Sequence, residues 1–509
     1  MSVARTWSVA LTGVDGDLVE IEADLSNQTP EFRLIGLADR ALKEAVQRVH
    51  NACANSELAL PRRRITVNLS PANLPKQGSG FDVGIAIAAI ATEVEMDAAS
   101  LANTVHVGEL GLDGRLRPVP GILPAVVAAA RSGFARVVVP AACRAEAALV
   151  DTVEVVGAVN LAQVAALHGA HVVVPDQAEV PLAAPTQAPV DTPDLSDVIG
   201  QRDAVDALVV AAAGGHNLLM SGPPGAGKTM LARRLPGILP ELDDEAALSA
   251  ASVRSLSGET VSSLSRIPPF IAPHHSVSVA ALVGGGSRVV RPGAVARASS
   301  GILFLDEAGE FPSVALDALR QPLESGSIVI DRVGVRAEFP ARFQLVLATN
   351  PCPCGEYGIR GGACTCPPAA IRRYRTRLSG PLLDRVDIEL SLRRVSVAQR
   401  TAVEGSTLTS AAARDLVDEA RRRARVRLAG TAWTTNAEVP GGWLRDGPFA
   451  PPLPVRRTLD QALQRGILTL RGYDRALRVA WTCADIAGRR ELTAADIGRA
   501  LFLKKGLTQ

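Results

Sequence analysis

The segment from Ser221 to Leu235, SGPPGAGKTMLARRL, has the composition of a phosphate-binding loop. It contains the pattern G-x-x-x-x-G-K-S/T between the apolar stretch HNLLMS and the helix-like stretch TMLARRL. Glycines let consecutive backbone N–H groups face phosphate oxygens, a lysine reaches the β- and γ-phosphates, and a hydroxyl ligates Mg²⁺. The sequence therefore predicts a site for ATP and Mg²⁺. Its residues are Gly222, Pro223, Pro224, Gly225, Ala226, Gly227, Lys228 and Thr229.

Polar side chains also follow two apolar stretches further along the chain. GILFLDE delivers Asp306 and Glu307, which suit the magnesium shell and the activation of the attacking water. LVLATN delivers Asn350, which suits detection of the γ-phosphate or the water. The alternatives are a solvated acidic pair that closes a strand and an asparagine that caps one.

Arginines are the third requirement, because phosphoryl transfer benefits from positive charge opposite the γ-phosphate, supplied in cis or by a neighbouring subunit. Arg385 follows a Gly-Pro turn in SGPLLDRVDI, and Arg478 lies in ALRVAW on a predicted helix. Most arginines are ordinary surface residues, so the residues alone assign neither role.

Four cysteines form two C-x-C pairs in NPCPCGEYGIRGGACTCPP. Four thiolates can close a tetrahedral zinc site, and the intervening glycines let the loop fold back on itself. The alternative is two disulfides, which a reducing cytoplasm disfavours. The pattern predicts a structural Zn²⁺ site at Cys352, Cys354, Cys364 and Cys366.

The overall composition sets wider limits. A chain of 509 residues exceeds what one hydrophobic core usually serves, so we expect several domains. Lys+Arg 54 against Asp+Glu 52 gives a net charge of +2, so attraction to nucleic acid requires a local patch. No apolar run reaches the roughly 18 residues of a membrane span, and the first residues lack the features of a signal peptide. We therefore expect a cytoplasmic protein without a membrane partner.

The order of elements predicts an α/β chain with a helical end. Short apolar strands and Ala-rich helices predict a mixed α/β domain over 1–174, and the proline-rich stretch 175–194 predicts a linker. HNLLMSG, GILFLDE and FQLVLATN predict parallel strands in a second α/β domain over 195–395. Helical spacing over 396–509 predicts a helical lid.

The motifs DVIGQ, GPPGAGKT, FLDE, LATN and SGPLLDRVD, in this order, resemble those of AAA+ ATPases of the magnesium-chelatase-like branch. APHHSVSVAALVGGG, PGAVARASSGILFLDEAGEF, LRQPLESG and NPCPCG are similar to the ComM/YifB family, and the similarity extends over essentially the whole chain. The resemblance implies a P-loop AAA+ α/β core, a C-terminal helical lid and ring-shaped hexamers.

The resemblance also implies roles for the site residues. Residues 222–229 would form the Walker A motif, Asp306 and Glu307 the Walker B motif, and Asn350 sensor 1.

Arg385 would be an arginine finger that acts in trans, since a ring brings it to a neighbouring site. Arg478 would be the sensor 2 arginine, with Arg475, one helical turn away, as the competing residue.

The segment SIVIDRVGVRAEFPARF predicts a hairpin around Val333 and Gly334. In this branch such a hairpin projects toward the ring channel, so the resemblance makes Arg332 and Arg336 candidate contacts for DNA phosphates. A charged, solvated hairpin edge is the alternative.

Two adjacent histidines, His274 and His275 in APHHS, suggest a metal site. Because adjacent side chains on an extended segment point to opposite faces, we expect a structural or interdomain role for them instead.

The first domain contains LPKQGSGFDVGIAIAAI and GELGLDGRLRPVPGILPAVV, which resemble the proteolytic domain of Lon; that fold is also thought to be shared with ribosomal protein S5. Lon uses a serine nucleophile and a lysine base. Here the nucleophile position falls at Gly80, beside Ser79, and the base position at Leu123. No lysine occurs between Lys76 and Lys228. The resemblance implies a Lon-like, S5-like domain without the protease dyad, which binds a partner or organises the ring.

Three functions follow from these observations. The resemblance favours a hexameric ATP-driven helicase that migrates branches in recombination and natural transformation, with single-stranded or branched DNA as its partner. A magnesium-chelatase motor, which inserts magnesium into a porphyrin, is the alternative. An ATP-dependent protease lacks its dyad. Composition and periodicity do not separate DNA from porphyrin.

Overall fold

A computed structural model of the chain provides the fold. It describes residues 3–36, 40–182, 193–286, 290–332, 335–359, 362–395 and 408–505.

The described residues of the first domain form nine strands. These are β1 (Ala4–Thr12), β2 (Asp15–Ser26), β3 (Glu31–Ile35), β4 (Arg64–Ser70), β5 (Thr104–His106), β6 (Glu109–Leu110), β7 (Leu116–Arg117), β8 (Arg136–Pro140) and β9 (Glu154–Ala158). Seven of them form a mixed sheet in the order β3-β4-β2-β1-β5-β8-β9, in which β1 pairs antiparallel with β2 and parallel with β5. The helices are Arg40–Asn55, Asp82–Ile90, Ala98–Ala102, Ile122–Arg131, Arg144–Ala147 and Leu161–Leu167, with a 3₁₀ turn at Ala141–Cys143. The mixed α/β prediction is confirmed.

The helix Asp82–Ile90 occupies the centre of this domain, and all its residues are buried. After Asp82 its sequence, VGIAIAAI, is apolar all round, as expected for a helix enclosed on every side. Burial raises the pKa of Asp82 to about 6, although Arg48 donates to its carboxylate at 2.7 Å. Just before the helix, Ser79 donates to Glu109, and Lys76 donates to the carbonyl of Pro71. The only serine beside the expected nucleophile position thus has a carboxylate partner.

The second domain is built on a five-stranded parallel sheet. The strands of this domain, inside and outside the main sheet, are β10 (Leu218–Ser221), β11 (Phe270–Ile271), β12 (Gly284–Gly285), β13 (Arg291–Pro292), β14 (Ile302–Leu305), β15 (Ser327–Arg332), β16 (Val335–Pro340), β17 (Gln344–Thr349) and β18 (Ile388–Ser391). The main sheet has the order β11-β14-β17-β10-β18, while β12 pairs with β13 and β15 with β16. The three predicted parallel strands, β10, β14 and β17, are confirmed, and they are neighbours or one strand apart.

Short helices surround this sheet. They are Arg202–Gly214, Lys228–Ala232, Leu235–Ile238, Asp244–Leu256, Val279–Val283, Ala294–Arg297, Ser313–Asp317, Arg320–Ser325, Pro368–Thr376 and Gly380–Leu383, with 3₁₀ turns at Leu195–Asp197 and Ala308–Glu310. Asp194, the last residue of the predicted linker, already caps the first of these turns by accepting from the N–H of Ser196 at 2.8 Å. It also accepts from the N–H of Ser410 at 3.0 Å. The core therefore begins at Asp194; residues 183–192 of the expected linker lie outside the described residues.

The segment 396–407, where the lid was expected to begin, lies outside the described residues. Over residues 408–505, five helices form the C-terminal part. They are Ser410–Arg427, Gly441–Asp446, Leu453–Gln464, Leu470–Ile486 and Ala494–Lys505, with a 3₁₀ turn at Asn436–Glu438. One buried apolar cluster joins them to the main sheet. Polar contacts add to it: His216, just before β10, lies 2.8 Å from the hydroxyl of Thr482 through Nε2 and 3.1 Å from Asp387 through Nδ1. Within the described ranges, every helix is too short or too polar to cross a membrane.

The two α/β domains also pack against each other. Val9 and Val126 of the first share an apolar cluster with Ala251 of the helix Asp244–Leu256. The β1–β2 turn meets the β15–β16 hairpin, where an added Cβ on Gly13 would lie only 1.9 Å from the carbonyl oxygen of Glu338. The base of the hairpin is thus held by the N-terminal domain.

Candidate functional site

The phosphate-binding loop lies at the carboxyl end of β10. Gly225 and Gly227 have φ of +77° and +88°, a left-handed conformation that other residues rarely adopt, and the helix Lys228–Ala232 starts immediately afterwards. Gln201 donates to the carbonyl of Ala226 at 2.7 Å. The loop therefore has the strand–loop–helix setting that a phosphate site requires.

Lys228 lies almost fully buried inside this loop. Its Nζ donates to the carbonyls of Gly222 at 2.6 Å and Pro223 at 3.0 Å, and to Oδ1 of Asn350 at 3.0 Å. Burial lowers the pKa of Lys228, and nearby carboxylates offset part of that effect. The end of β17 thus contacts the phosphate loop.

The carboxylate at the end of β14 meets the same loop. Thr229 Oγ1 donates to Oδ2 of Asp306 at 2.6 Å, so a hydroxyl and a carboxylate oxygen face the same point. Hydroxyl and carboxylate oxygens are ligands that Mg²⁺ accepts, and the pair therefore fits this ion. The next residue, Glu307, has φ +51°, and its N–H donates to Oδ1 of Asp306 at 2.9 Å.

His275 is a residue of this site that the sequence analysis missed. Its Nδ1 lies 3.5 Å from Oε2 of Glu307. The extended segment expected for APHHS is not found, because His275 and Ser276 form a turn; the ring centroids of His274 and His275 lie 4.0 Å apart with the rings tilted by 35°. His274 instead contacts the hydroxyl of Ser276 at 2.8 Å. No sequence pattern could signal the contact, because the two partners are 32 residues apart and meet only through β11 and β14.

Arg385 lies at the amino-terminal ends of the strands, opposite the phosphate loop. Asn217, immediately before β10, donates to the carbonyl of Arg385 at 2.9 Å, whereas the phosphate loop follows the opposite end of that strand. The guanidinium forms an ion pair with Glu324 and donates to the carbonyl of Pro381 at 2.5 Å. The structure therefore does not bring Arg385 to Lys228 within one chain.

Arg478 lies on that same edge. Its Nε donates to the carbonyl of Val439 at 2.8 Å, and its carbonyl accepts from Thr482, the partner of His216. Burial raises the pKa of Asp387, the residue before β18, but the hydrogen bond with His216 and nearby charges, that of Arg478 among them, lower it overall. The length of the sheet separates Arg478 from the phosphate loop of its own chain.

Arg475, the competing candidate for sensor 2, is buried, and its guanidinium contacts the turn that carries Arg385. It donates to the carbonyls of Leu383 at 3.0 Å and Val386 at 2.8 Å and pairs with Asp384 at 3.2 Å. These contacts join the C-terminal helices to the turn and make Arg475 a packing residue within the chain.

The four cysteines cluster as the spacing predicted. Their Sγ atoms all lie within 4.8 Å of one another, and three of the separations are 3.3, 3.8 and 3.6 Å. A tetrahedral site with metal–sulfur bonds of about 2.3 Å has sulfur–sulfur edges of about 3.8 Å, so the cluster fits such an ion. All four are free thiols, and the disulfide alternative is not found. Tyr357 N–H donates to Cys352 at 3.3 Å, as a residue beside a metal ligand does.

Comparisons with known proteins agree with this architecture. Three family models match: subunit ChlI of Mg-chelatase at residues 21–143, magnesium chelatase subunit ChlI at 194–400, and the C-terminal part of that subunit at 407–504. The fold, the phosphate site and these matches define a magnesium-chelatase-like ATPase of the AAA+ class.

Full-length relatives refine this result. An uncharacterised protein of Mycobacterium tuberculosis is 46% identical, over 99% of both chains. The competence protein ComM of Haemophilus influenzae is 42% identical, over 98% of this chain and 97% of its own. The uncharacterised protein YifB of Escherichia coli is 39% identical, over 96% of this chain and 94% of its own. The chain therefore belongs to the ComM/YifB family, as its motifs predicted.

The cysteine cluster generates a direct prediction. The purified protein should carry about one thiolate-bound divalent ion per chain, and Co²⁺ substitution should produce the absorption of a tetrahedral thiolate site. Replacement of one ligand, Cys354→Ser, should weaken metal binding by more than about tenfold.

Mass spectrometry measures the metal content of each variant, and the absorption spectrum of the Co²⁺ form reports the tetrahedral thiolate site. Cys143→Ala, at a buried cysteine of the first domain, is the matched control and should retain the ion. A folded protein with far less than one ion per chain would contradict the prediction.

Proposed function

We propose that this protein is a ring-forming ATPase motor that acts on single-stranded or branched DNA, as a branch-migration helicase in recombination or natural transformation. The ATPase part is carried by the contacts of Lys228 with Asn350 and of Thr229 with Asp306 at one edge of the sheet. The DNA part rests on full-length similarity to a protein whose name contains the word competence. The proposal places the motor in the cytoplasm, with a structural Zn²⁺ at the four cysteines.

The residues around the phosphate loop divide the chemical work. Lys228 neutralises the β- and γ-phosphates; Thr229 and Asp306 would hold Mg²⁺, which would supply neutralisation of the charge that develops on the phosphates. Glu307 orients the attacking water and accepts its proton, and Asn350 senses the γ-phosphate. The remaining residues of the loop, 222–227, hold the phosphates through backbone N–H groups.

The histidine beside Glu307 yields a prediction about hydrolysis. Because His275 lies 3.5 Å from the carboxylate that would act as the base, it orients that carboxylate. His275→Ala should lower kcat about tenfold, part of the ~10²–10⁴ that a general base contributes, with little change in KM.

Steady-state ATP hydrolysis measures the effect. His274→Ala is the control, since that neighbouring ring contacts Ser276 instead, and it should retain activity. Equal losses in the two variants, or a loss confined to KM, would contradict the positioning role.

Both arginines require a second subunit in this proposal. Arg385 and Arg478 lie at the amino-terminal edge of the sheet, away from the phosphate loop of the same chain. In a closed ring, a neighbour can present that edge to the phosphate site, with Arg385 as the arginine finger and Arg478 as sensor 2. This supports assembly as a ring, and the number of six subunits rests on the resemblance to AAA+ ATPases that form homo-hexamers.

Mixing experiments test this arrangement. Arg385→Ala and Glu307→Gln should each lower kcat, on the order of 10³-fold for the arginine. Mixed together, the two proteins should regain activity, because some interfaces then combine an intact Glu307 with a neighbour's intact Arg385.

The rate of ATP hydrolysis is measured while one variant is titrated into the other, and recovery of that rate indicates action in trans. Arg385→Ala alone, at the same total protein concentration, is the control. No recovery in mixed rings, with assembly verified by light scattering, would contradict action in trans.

Arginines on two surfaces suit a DNA backbone. Arg336 on the β15–β16 hairpin is 72% exposed, at 3.9 Å from Asp331; the side chain of Arg332, the other expected contact, lies outside the described residues. A second exposed group, which the sequence analysis did not select, lies on the helix Pro368–Thr376 and consists of Arg372, Arg373 and Arg375. Phosphate contacts at either surface would make binding depend on salt.

The DNA activity has a direct test. With Mg²⁺, a four-way DNA junction should stimulate ATP hydrolysis and its arms should move, and both effects should weaken as salt rises. Lys228→Ala should abolish arm movement and lower hydrolysis by at least about 10²-fold.

Hydrolysis and arm movement are followed in the same samples, with duplex DNA of equal length as the substrate control. If DNA does not change the rate of hydrolysis and the junction arms do not move, the DNA proposal is overturned. This result would leave a chelatase-type motor for metal insertion into a porphyrin, a candidate favoured by the family models named for magnesium chelatase.

A further inference from the structure

The cysteine loop begins directly beside the phosphate site. β17 ends at Thr349, the next residue, Asn350, accepts from Lys228 at 3.0 Å, and Cys352 is fully buried two residues later. A change in the position of Cys352 therefore acts on the residue that contacts the buried lysine.

The loop also packs on the phosphate loop itself. Gly355 has φ +81°, and its N–H donates to the carbonyl of Cys352 at 2.9 Å. A Cβ added to Gly355 would lie 2.4 Å from Cδ of Pro224. The turn that contains the first two cysteines and ends at Gly355 thus packs closely against Pro224 of the phosphate loop.

An arginine closes this contact from the other side. Arg394, which follows β18, donates to the carbonyl of Pro224 at 3.1 Å through Nε and to Oε1 of Glu356 at 2.7 Å through Nη2. Glu356 belongs to the cysteine loop, so one side chain holds the two loops together.

Little else orders the cysteine loop. In its described residues, 352–359 and 362–367, the backbone forms turns and irregular structure only. One of the few internal backbone bonds joins Gly362 to Ile359 at 3.0 Å. Four metal–sulfur bonds would therefore add cross-links that regular secondary structure does not provide in this part of the loop.

We infer that the four-cysteine site is a metal-dependent control site for nucleotide binding: a thiolate-bound divalent ion holds the cysteine loop against Pro224 and keeps the phosphate loop in its binding shape. The inference rests on the proposed ATPase and metal sites. By linkage, a metal that tightens nucleotide binding is itself bound more tightly when nucleotide is present, by the same factor.

Removal and return of the ion test the coupling. Protein treated with a zinc-selective chelator, then freed of it, should bind a fluorescent ADP analogue with Mg²⁺ about tenfold more weakly, and Zn²⁺ or Co²⁺ should restore the affinity. Reciprocally, saturating ADP should slow the transfer of Zn²⁺ to a chromogenic chelator.

Two glycines of the same loop provide a matched pair that keeps the ion in place. Gly355→Ala forces a methyl group against Pro224, whereas Gly358→Ala carries a similar backbone cost, at φ +74°, and meets no atom within 4 Å. Gly355→Ala should weaken nucleotide binding about tenfold with full metal content, and Gly358→Ala should change it less than about twofold.

Three results would overturn the inference: a chain that takes up no metal, equal affinity in the metal-free and metal-loaded folded protein, or equal effects of the two glycine substitutions. If the metal-free chain unfolds, the glycine pair and the reciprocal ADP experiment still decide. All readouts are made without DNA, so failure of the DNA proposal leaves them unaffected.

Discussion

A buried ammonium group is stable only where oxygen atoms replace its water, and Lys228 meets this condition with two loop carbonyls and the amide oxygen of Asn350. The carbonyls exist in that position because Gly225 and Gly227 turn the loop back on itself. The amide is there because β17 pairs with β10 in parallel, so both strands end at the same edge. The sheet order, the glycines and the end of β17 all serve this one group, which ATP phosphates would further neutralise.

The same sheet has an opposite edge, and the C-terminal helices pack there. His216, Asp387 and Thr482 tie the helices to the starts of β10 and β18, and Arg475 ties them to the turn before β18. Helices held in this way cannot close over the phosphate loop of the same chain without losing buried hydrogen bonds. The placement explains why Arg385 and Arg478 lie away from the phosphate loop of their own chain; the proposed ring would bring a neighbour's arginines to it.

Two features of the site depend on loops rather than on strands. The turn at His275 brings a ring to the carboxylate of Glu307, and the cysteine loop brings Gly355 to Pro224. Both loops leave the sheet at its carboxyl edge, after β11 and β17, where residues from different strands converge. The N-terminal domain adds a further constraint by holding the hairpin base at Glu338, so motion of the hairpin would be transmitted to that domain.

Much of this protein could be predicted from short patterns. Gly222 to Thr229, the acidic pair after β14, Asn350 and the two C-x-C pairs were identified because their chemistry requires particular residue types at fixed spacing. The parallel strands and the helical end followed from apolar periodicity. The family followed from the order of long motifs.

Contacts between residues distant in the chain could not be predicted. The contact of His275 with Glu307 was missed because a turn replaced the expected extended segment, and the clamp of Arg394 on Pro224 joins residues that share no local pattern. The edge on which Arg385 and Arg478 lie was equally invisible, since an arginine's neighbours depend on packing. The sequence by itself determined the chemistry of the phosphate loop and the cysteine cluster, because local spacing sets the backbone shape that each needs. Only the tertiary structure decided which groups face them, because strand order and helix packing bring distant residues together.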